Sequence, residues 1–513
     1  MLLDAATADR SRLASPFNVC VIGSGPAGMT LARRLAARGL KVALMEAGGL
    51  EISPESQDRY QGEIVGLPYF DLDVARLRML GGTSGHWAGW CRALDAHDFE
   101  SLPHRPYGWP IGKADLDPYQ PAASEVLGLE PEREGPDLPM TQAEARLRNI
   151  QLRQSPVRFG ENYRDEIAAS DRITACLNAN LVDLRLGDDL ATVEGAVFRS
   201  RAADDSGFTV RARAYCLCLG GLESPRMLLN FTGQKPNGIG NDHDLVGRYF
   251  CEHPKYEVAE VLFARPPEFG SDHFSPTLDF MLREQVLNFT MRVLVHAPPA
   301  ASRGAALRAA AVCATPFTER LAERVLGRRQ VCRWGGLAEY GIRRDPGRAP
   351  VGSVIMYTEQ LLDRDSRVTL ADATDDFGLR RIRLDWRMAE VDRRTVQAAT
   401  LALGAHFAEQ DIGRLRVRDW LLAEPVALPD PPGRAWEGSY HHMCTTRMAD
   451  DPREGVVDRN CRVHGTANLY VGGSSVFSAP GFATPTYTIV QLALRLGDHL
   501  ADSLPGPGGI ISD

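Results

Sequence analysis

Val19-Cys20-Val21-Ile22-Gly23-Ser24-Gly25-Pro26-Ala27-Gly28 is a short apolar run that breaks into a G-x-G-x-x-G turn. The residues on either side give that turn its meaning. Phe17 to Ile22 is rich in β-branched residues and reads as a strand, Ala27 to Arg38 has helical composition with one apolar face, and Lys41 to Met45 reads as a second strand. In such a unit the first glycine makes the tight turn, the second lets the backbone approach a pyrophosphate, and the third lets helix pack on strand. Gly23, Gly25 and Gly28 take those places, and the helix start offers free N–H groups to phosphate. Glu46 follows eighteen residues after Gly28, close to the spacing at which a carboxylate accepts hydrogen bonds from an adenosine ribose. The unit predicts a dinucleotide cradle.

At 513 residues the chain exceeds one core and suggests two interleaved domains. Arg213 to Leu219, an apolar run leading into Gly220-Gly221, is a strand-to-turn segment that would bring the chain back to the first sheet. Between about Lys255 and Trp436 the pattern changes. Strands are expected near Tyr256 to Phe263, Gly352 to Gln360 and Arg381 to Trp386, with helices near 305–326 and Asp392 to Glu409, so an antiparallel sheet is favoured there. Arg172 to Leu186 and Thr192 to Val210 alternate and read as further strands.

A formal net charge of −8 with scattered Lys and Arg argues against a nucleic-acid partner. The first sixteen residues lack the apolar core of a secretory signal, and no apolar run reaches the roughly 18 residues of a membrane span, so a cytoplasmic location is expected. The ten cysteines include no C-x-x-C pair; buried free thiols are expected, with no disulfide framework and no metal site. Absence of that pair also argues against a pyridine-nucleotide disulfide reductase, which would share the N-terminal turn.

Three later stretches carry chemistry. Met79-Leu80-Gly81-Gly82-Thr83-Ser84-Gly85-His86-Trp87 is a glycine-rich loop, Tyr440-His441-His442-Met443-Cys444-Thr445 is histidine-bearing, and Phe482-Ala483-Thr484-Pro485-Thr486 is a proline turn. Together with Gly23 to Gly28, Leu219 to Leu229 and Val246 to Pro254, and in this order, they resemble the glucose–methanol–choline (GMC) oxidoreductases, FAD enzymes that oxidise alcohols. The resemblance covers nearly the whole chain, including linking segments without evident chemistry such as Val246 to Pro254. It implies an α/β fold, with a Rossmann-like FAD-binding domain (15–100, 160–254 and 440–513) interleaved with an α+β substrate domain built on an antiparallel sheet (101–159 and 255–439).

Alcohol oxidation needs a base within reach of the hydroxyl, and histidine titrates nearest to neutral pH. The resemblance places His441 in that role, with His442 as the weaker candidate. Its usual partner, Asn or His, is replaced by Thr484, whose short side chain cannot act as a base. Either the hydroxyl still holds the substrate oxygen, or the chemistry is altered to that of a lyase or isomerase, or lost. The resemblance also places Gly81, Gly82, Thr83 and Ser84 along the flavin, Val182 at adenine, Gly473 and Ser474 near the ribityl chain and Thr486 beside the pyrimidine edge. His86 stands where some relatives bind the flavin covalently; attachment and simple binding both remain open. The expected substrate is a sugar, glycoside or aminoglycoside-like alcohol; Trp87, Trp90, Trp109, Tyr357 and Trp436 are candidates for stacking on it, although a tryptophan in a large protein is more often core than platform. The electron acceptor, oxygen or another, and the oligomeric state are left open.

Overall fold

The computed structural model describes residues 1–130, 138–139, 146–201, 205–264, 267, 269, 271–296, 350–429 and 439–504. Phe17–Ile22 and Val42–Met45 are adjacent parallel strands joined by the helix Pro26–Ala37. They belong to a six-stranded parallel sheet in the order Leu2–Asp4, Ile173–Leu177, Val42–Met45, Phe17–Ile22, Ala212–Leu217, Leu469–Val471. Its central strands are covered on both faces, which is why Val19, Cys20 and Val21 are buried consecutively and do not alternate. The C-terminal helix Thr486–Ser503 lies against Pro26–Ala37, where a Cβ on Gly497 would come within 2.7 Å of Arg34 and the Arg34 guanidinium clasps Asp498 with two 2.8 Å bonds.

Strand ends decide where the site forms. Phe17–Ile22, Ala212–Leu217 and Leu469–Val471 are neighbours, so their carboxyl ends deliver Gly23, Gly220 and Gly473 to one place. The helix after the second of these runs over Gly220–Asn230. Pro225 lies inside it and has no N–H for the carbonyl of Gly221. That carbonyl instead accepts the hydroxyl of Thr445 at 2.6 Å, which ties the histidine segment to the sheet.

A seven-stranded antiparallel sheet runs in the order Gly413–Val417, Lys255–Phe263, Val351–Thr358, Phe289–His296, His273–Pro276, Leu147–Ile150 and residues 138–139. One face buries Val258, Met291, Val293, Val354 and Met356 against Val396, Leu403 and Phe407 of the helix Glu390–Glu409. A hairpin, Arg367–Thr374 with Arg380–Asp385, takes Gly62–Ile64 as a third strand and packs a separate core around Trp386, Phe250 and Tyr69.

The 172–186 run is two strands rather than one. Asn178 adopts φ 55° and redirects the chain, so Ile173–Leu177 stays in the parallel sheet while Asn180–Leu186 pairs antiparallel with Val193–Arg199. The expected helix at 305–326 and Trp436 lie outside the described residues. Eight described cysteines are free and buried, and no helix among the described residues is long and apolar enough to cross a membrane.

Candidate active site

A cavity of about 660 Å³ extends from the glycine turn to the antiparallel sheet. Its floor separates the roles of the three glycines. Gly23 has φ +101°, a Cβ on Gly28 would sit 1.8 Å from the Gly23 carbonyl, and a Cβ on Gly25 would meet nothing within 4 Å. Gly25 therefore opens onto space, whereas Gly28 is a helix–strand contact. Glu46 is buried and accepts from Ser24 N–H (3.0 Å), the Ser24 hydroxyl (2.6 Å) and Gly48 N–H (2.8 Å). The same Ser24 oxygen accepts Gly81 N–H at 3.0 Å, so one serine joins the first glycine turn to the second.

Gly82, Thr83, Ser84 and His86 line the cavity. Gly81 does not: it packs beneath the wall, where a Cβ would lie 2.1 Å from Gly160 N. The Ser84 hydroxyl donates to the Gly81 carbonyl at 2.7 Å and accepts Phe159 N–H at 3.1 Å, which fixes the loop. The ring of His86, on the open side of the cavity, faces Tyr440 at 6.4 Å between centroids, and partial desolvation followed by the nearby Arg158 charge lowers its pKa. Gly473, Ser474 and Thr486 line the cavity, with Thr486 opening the C-terminal helix, whose N-terminus favours negative charge there. Val182 is not in the wall; its neighbours Asn180 and Leu181 are.

His441 is held in a close pair. Its Nδ1 lies 3.0 Å from Nδ1 of His253, and its N–H donates to Glu252 at 2.7 Å. The same Glu252 oxygen accepts His253 N–H at 2.9 Å, while the other accepts the Tyr69 hydroxyl. Burial first, then His253, His442 and Lys255, hold the His441 pKa well below its ordinary value. Burial likewise lowers His253 to about 4 and raises Glu252 to about 7. Both imidazoles are thus neutral at neutral pH, and only one proton can lie between the two Nδ1 atoms. With that proton on His441, its Nε2 carries a lone pair and can accept a proton.

His442 has another environment. Its ring stacks near Phe250 (6.1 Å) and tilts against Tyr69 (5.9 Å), burial lowers its pKa to about 3, and its backbone carbonyl accepts the Ser474 hydroxyl at 2.7 Å. Thr484 is in the cavity wall, but its hydroxyl donates to the Trp90 carbonyl at 2.5 Å. The residue that meets His441 is His253, in the Val246–Pro254 stretch that reads as a linker. Glu252-His253-Pro254, two ionisable residues ahead of a proline, was the signal available there.

The antiparallel sheet supplies Lys255, His273, Thr290, Arg292 and Tyr357 to the wall. Trp90 stands at this end, 5.3 Å from the ring of His273 and 4.8 Å under the Arg292 guanidinium. Trp87 and Tyr357 also line the cavity, whereas Trp109 is core, packed on Phe477 and donating to the Ala479 carbonyl. Asp95, His97 and Asp98 are the described residues close enough to share an ion. Arg92 and Arg148 already pair with Asp95, and Asn288 donates to Asp98.

The glycine cradle and several buried polar atoms without protein partners in the wall (Thr290 Oγ1, Tyr440 Oη, His442 Nε2) fit a large polar ligand with a dinucleotide end. Fold and site define a protein with a Rossmann-type dinucleotide-binding unit and a partly buried histidine, its pKa held below the ordinary value, in the wall of the same cavity. Residues 363–493 match the GMC oxidoreductase C-terminal family and residues 21–56 the NAD(P)-binding Rossmann-like domain. The chain is 26% identical to 2-methyl-1,2-propanediol dehydrogenase of Mycolicibacterium austroafricanum (95% of this chain, 96% of the relative). It is 24% identical to paromamine 6'-oxidase of Streptomyces fradiae (95% and 92%). A fungal aryl-alcohol oxidase shares the fold at TM-score 0.55 and 14% identity, over 95% of this chain and 99% of that one. Residues 363–493 thus carry a GMC oxidoreductase C-terminal domain and the N-terminal unit a Rossmann-like dinucleotide-binding domain, a combination that implies a flavin, and the relatives matched over nearly the whole chain are GMC oxidoreductases.

Proposed function

We propose that this protein oxidises a CH–OH group of a sugar, glycoside or aminoglycoside-like alcohol to a carbonyl, with His441 as the base. The observation that carries the reading is the neutral His441–His253 pair, 3.0 Å apart, in the wall of a cavity that begins at the glycine cradle. His253 orients the ring by accepting the Nδ1 proton, Glu252 anchors both backbones, and His441 Nε2 takes the hydroxyl proton. FAD, when bound, supplies the hydride acceptor at N5. Gly23, Gly25, Glu46, Gly82, Thr83, Gly473, Ser474 and Thr486 are the residues proposed to hold it, within an FAD-binding part formed by 15–100, 160–254 and 440–513. The relatives are named dehydrogenases and oxidases, which leaves the non-oxidative alternative raised by Thr484 without support. The proposed setting is cytoplasmic, with oxygen or another compound as acceptor.

The test is anaerobic reduction of the yellow protein over a panel of sugars, glycosides and aminoglycosides. His441→Ala is expected to slow reduction by about 10²- to 10⁴-fold, the range of a general base; a variant reduced as fast as wild type removes the assignment. Acid precipitation decides between attachment at His86 and simple binding: colour stays with the pellet only if the bond exists, and His86→Ala then releases it.

A further inference from the structure

Building on the proposed FAD cradle, we infer that the turn at 375–379, from the stretch of chain expected to bind substrate, closes over the adenine of the cofactor, with Phe377 and Leu379 as its outer wall. The turn joins the hairpin strands Arg367–Thr374 and Arg380–Asp385, yet Asp375, Phe377 and Leu379 line the same cavity as the glycine turn. In a Rossmann-type unit the pyrophosphate sits at the helix start and the carboxylate after the second strand meets the ribose, so the base lies beyond that carboxylate. Glu46 holds that position, and its backbone carbonyl accepts Ala179 N–H at 2.9 Å, which sets Asn180 and Leu181 into the wall just past it.

Two arginines bring Phe377 to Asn180. Arg199 is the ladder partner of Asn180, and its guanidinium lies 5.4 Å from the Phe377 ring. Arg59 lies 4.6 Å from the same ring, donates to the Asn180 side chain at 3.5 Å and clasps Asp376 with two 2.6 Å bonds. Neither arginine lines the cavity, whereas Phe377 does, so both support the ring from outside the wall. The turn is also fastened from within. One Asp375 oxygen accepts Phe377 N–H at 2.9 Å and Leu379 N–H at 3.0 Å, and the other accepts Arg226 at 2.6 Å. Arg226 belongs to the helix Gly220–Asn230 and donates as well to the carbonyls of Leu379 and Arg380. With the Arg226–Asp375 pair 1% and 2% exposed, the turn is set before any ligand arrives. Phe377 and Leu379 remain only partly buried, and Leu181 and Met227 line the cavity with them, an aromatic and aliphatic surface suited to the flat face of a purine.

Calorimetric titration of the full-length apoprotein with FAD, ADP and FMN tests the inference, in the His86→Ala background if the flavin proves to be attached. Phe377→Ala should weaken FAD and ADP each about tenfold, the scale of one aromatic contact with a base, and leave FMN, which has no adenine, as in wild type. Phe377→Tyr keeps the ring and should bind all three as wild type does. Because Asp375 holds the turn without the ring, the Phe377→Ala apoprotein should melt where wild type melts. FAD bound equally by Phe377→Ala and wild type, or FAD and FMN weakened by the same factor, overturns the inference. Wild type that binds none of the three removes the FAD cradle and the turn's role together. No arm depends on turnover, so a protein that binds FAD but oxidises no alcohol in the panel still decides the role of the turn.

Discussion

Replacing His253 by leucine removes the only side chain that engages His441 Nδ1 among the described residues, at 3.0 Å. The carboxylate of Glu252 still accepts the His441 N–H, so the loop keeps its anchor while the ring loses its orienting partner. Leaving a buried donor unsatisfied costs about 1–3 kcal/mol. At about 1.4 kcal/mol per tenfold, the reduction rate should fall about 5- to 150-fold if that cost is met in the reacting tautomer. Most of that range lies below the loss expected for His441→Ala. A second effect separates orientation from damage. The acid limb of the wild-type rate is expected below the usual histidine range, because protonated His441 is disfavoured by burial and by His253 beside it. Without His253 the limb should move upward, and only partway, since burial persists. His253→Asn, whose side-chain oxygen can accept the same proton, should restore part of the rate. Stopped-flow flavin reduction across pH, under anaerobic conditions, measures all three. A leucine variant with wild-type rate and an unmoved acid limb would refute the pairing as a catalytic arrangement.

Gly28→Ala should destabilise the protein or prevent folding, because its Cβ has no room against the Gly23 carbonyl, whereas Gly25→Ala should fold normally and bind FAD weakly; thermal melts and FAD titration of the apoproteins distinguish them. Thr484→Val should lower stability by about 1 kcal/mol through the lost bond to Trp90 and slow reduction less than about tenfold, as urea unfolding and stopped flow would measure. A rate loss matching His441→Ala would return Thr484 to the chemistry. Glu252 has a folded pKa of about 7, above its unfolded value, so its favourable contribution is complete below pH 4.5 and disappears as pH rises through 7. Wild type should therefore lose up to about 3 kcal/mol across that window relative to Glu252→Gln, in urea unfolding at each pH.

Much of the fold was legible because its determinants are local. Gly23, Gly25 and Gly28 span six residues, and the left-handed φ at Gly23 and the contact at Gly28 follow from one strand–turn–helix unit. Tyr256 to Phe263 also reads locally as a strand, although a bulge between Glu257 and Ala259 shifts its alternation, so that Tyr256 and Val258 before it and Val261 and Phe263 after it all reach the core. Asn178 was not legible as a boundary, since asparagine at positive φ breaks a run whose alternation continues through it.

By itself the sequence determined the cofactor class, the likeness to alcohol oxidoreductases and His441 as the residue to test. Tertiary structure decided which groups answer it. His253 reaches His441 across 188 positions of chain, and Thr484 is engaged by a carbonyl 394 positions away. Lys255, Tyr357 and Thr290 share a row of the wall only through the register of three strands. Such pairings depend on which strands become neighbours and on what burial does to a charge. Neither is a property of a residue's identity or its spacing, so both appear only once the chain has folded.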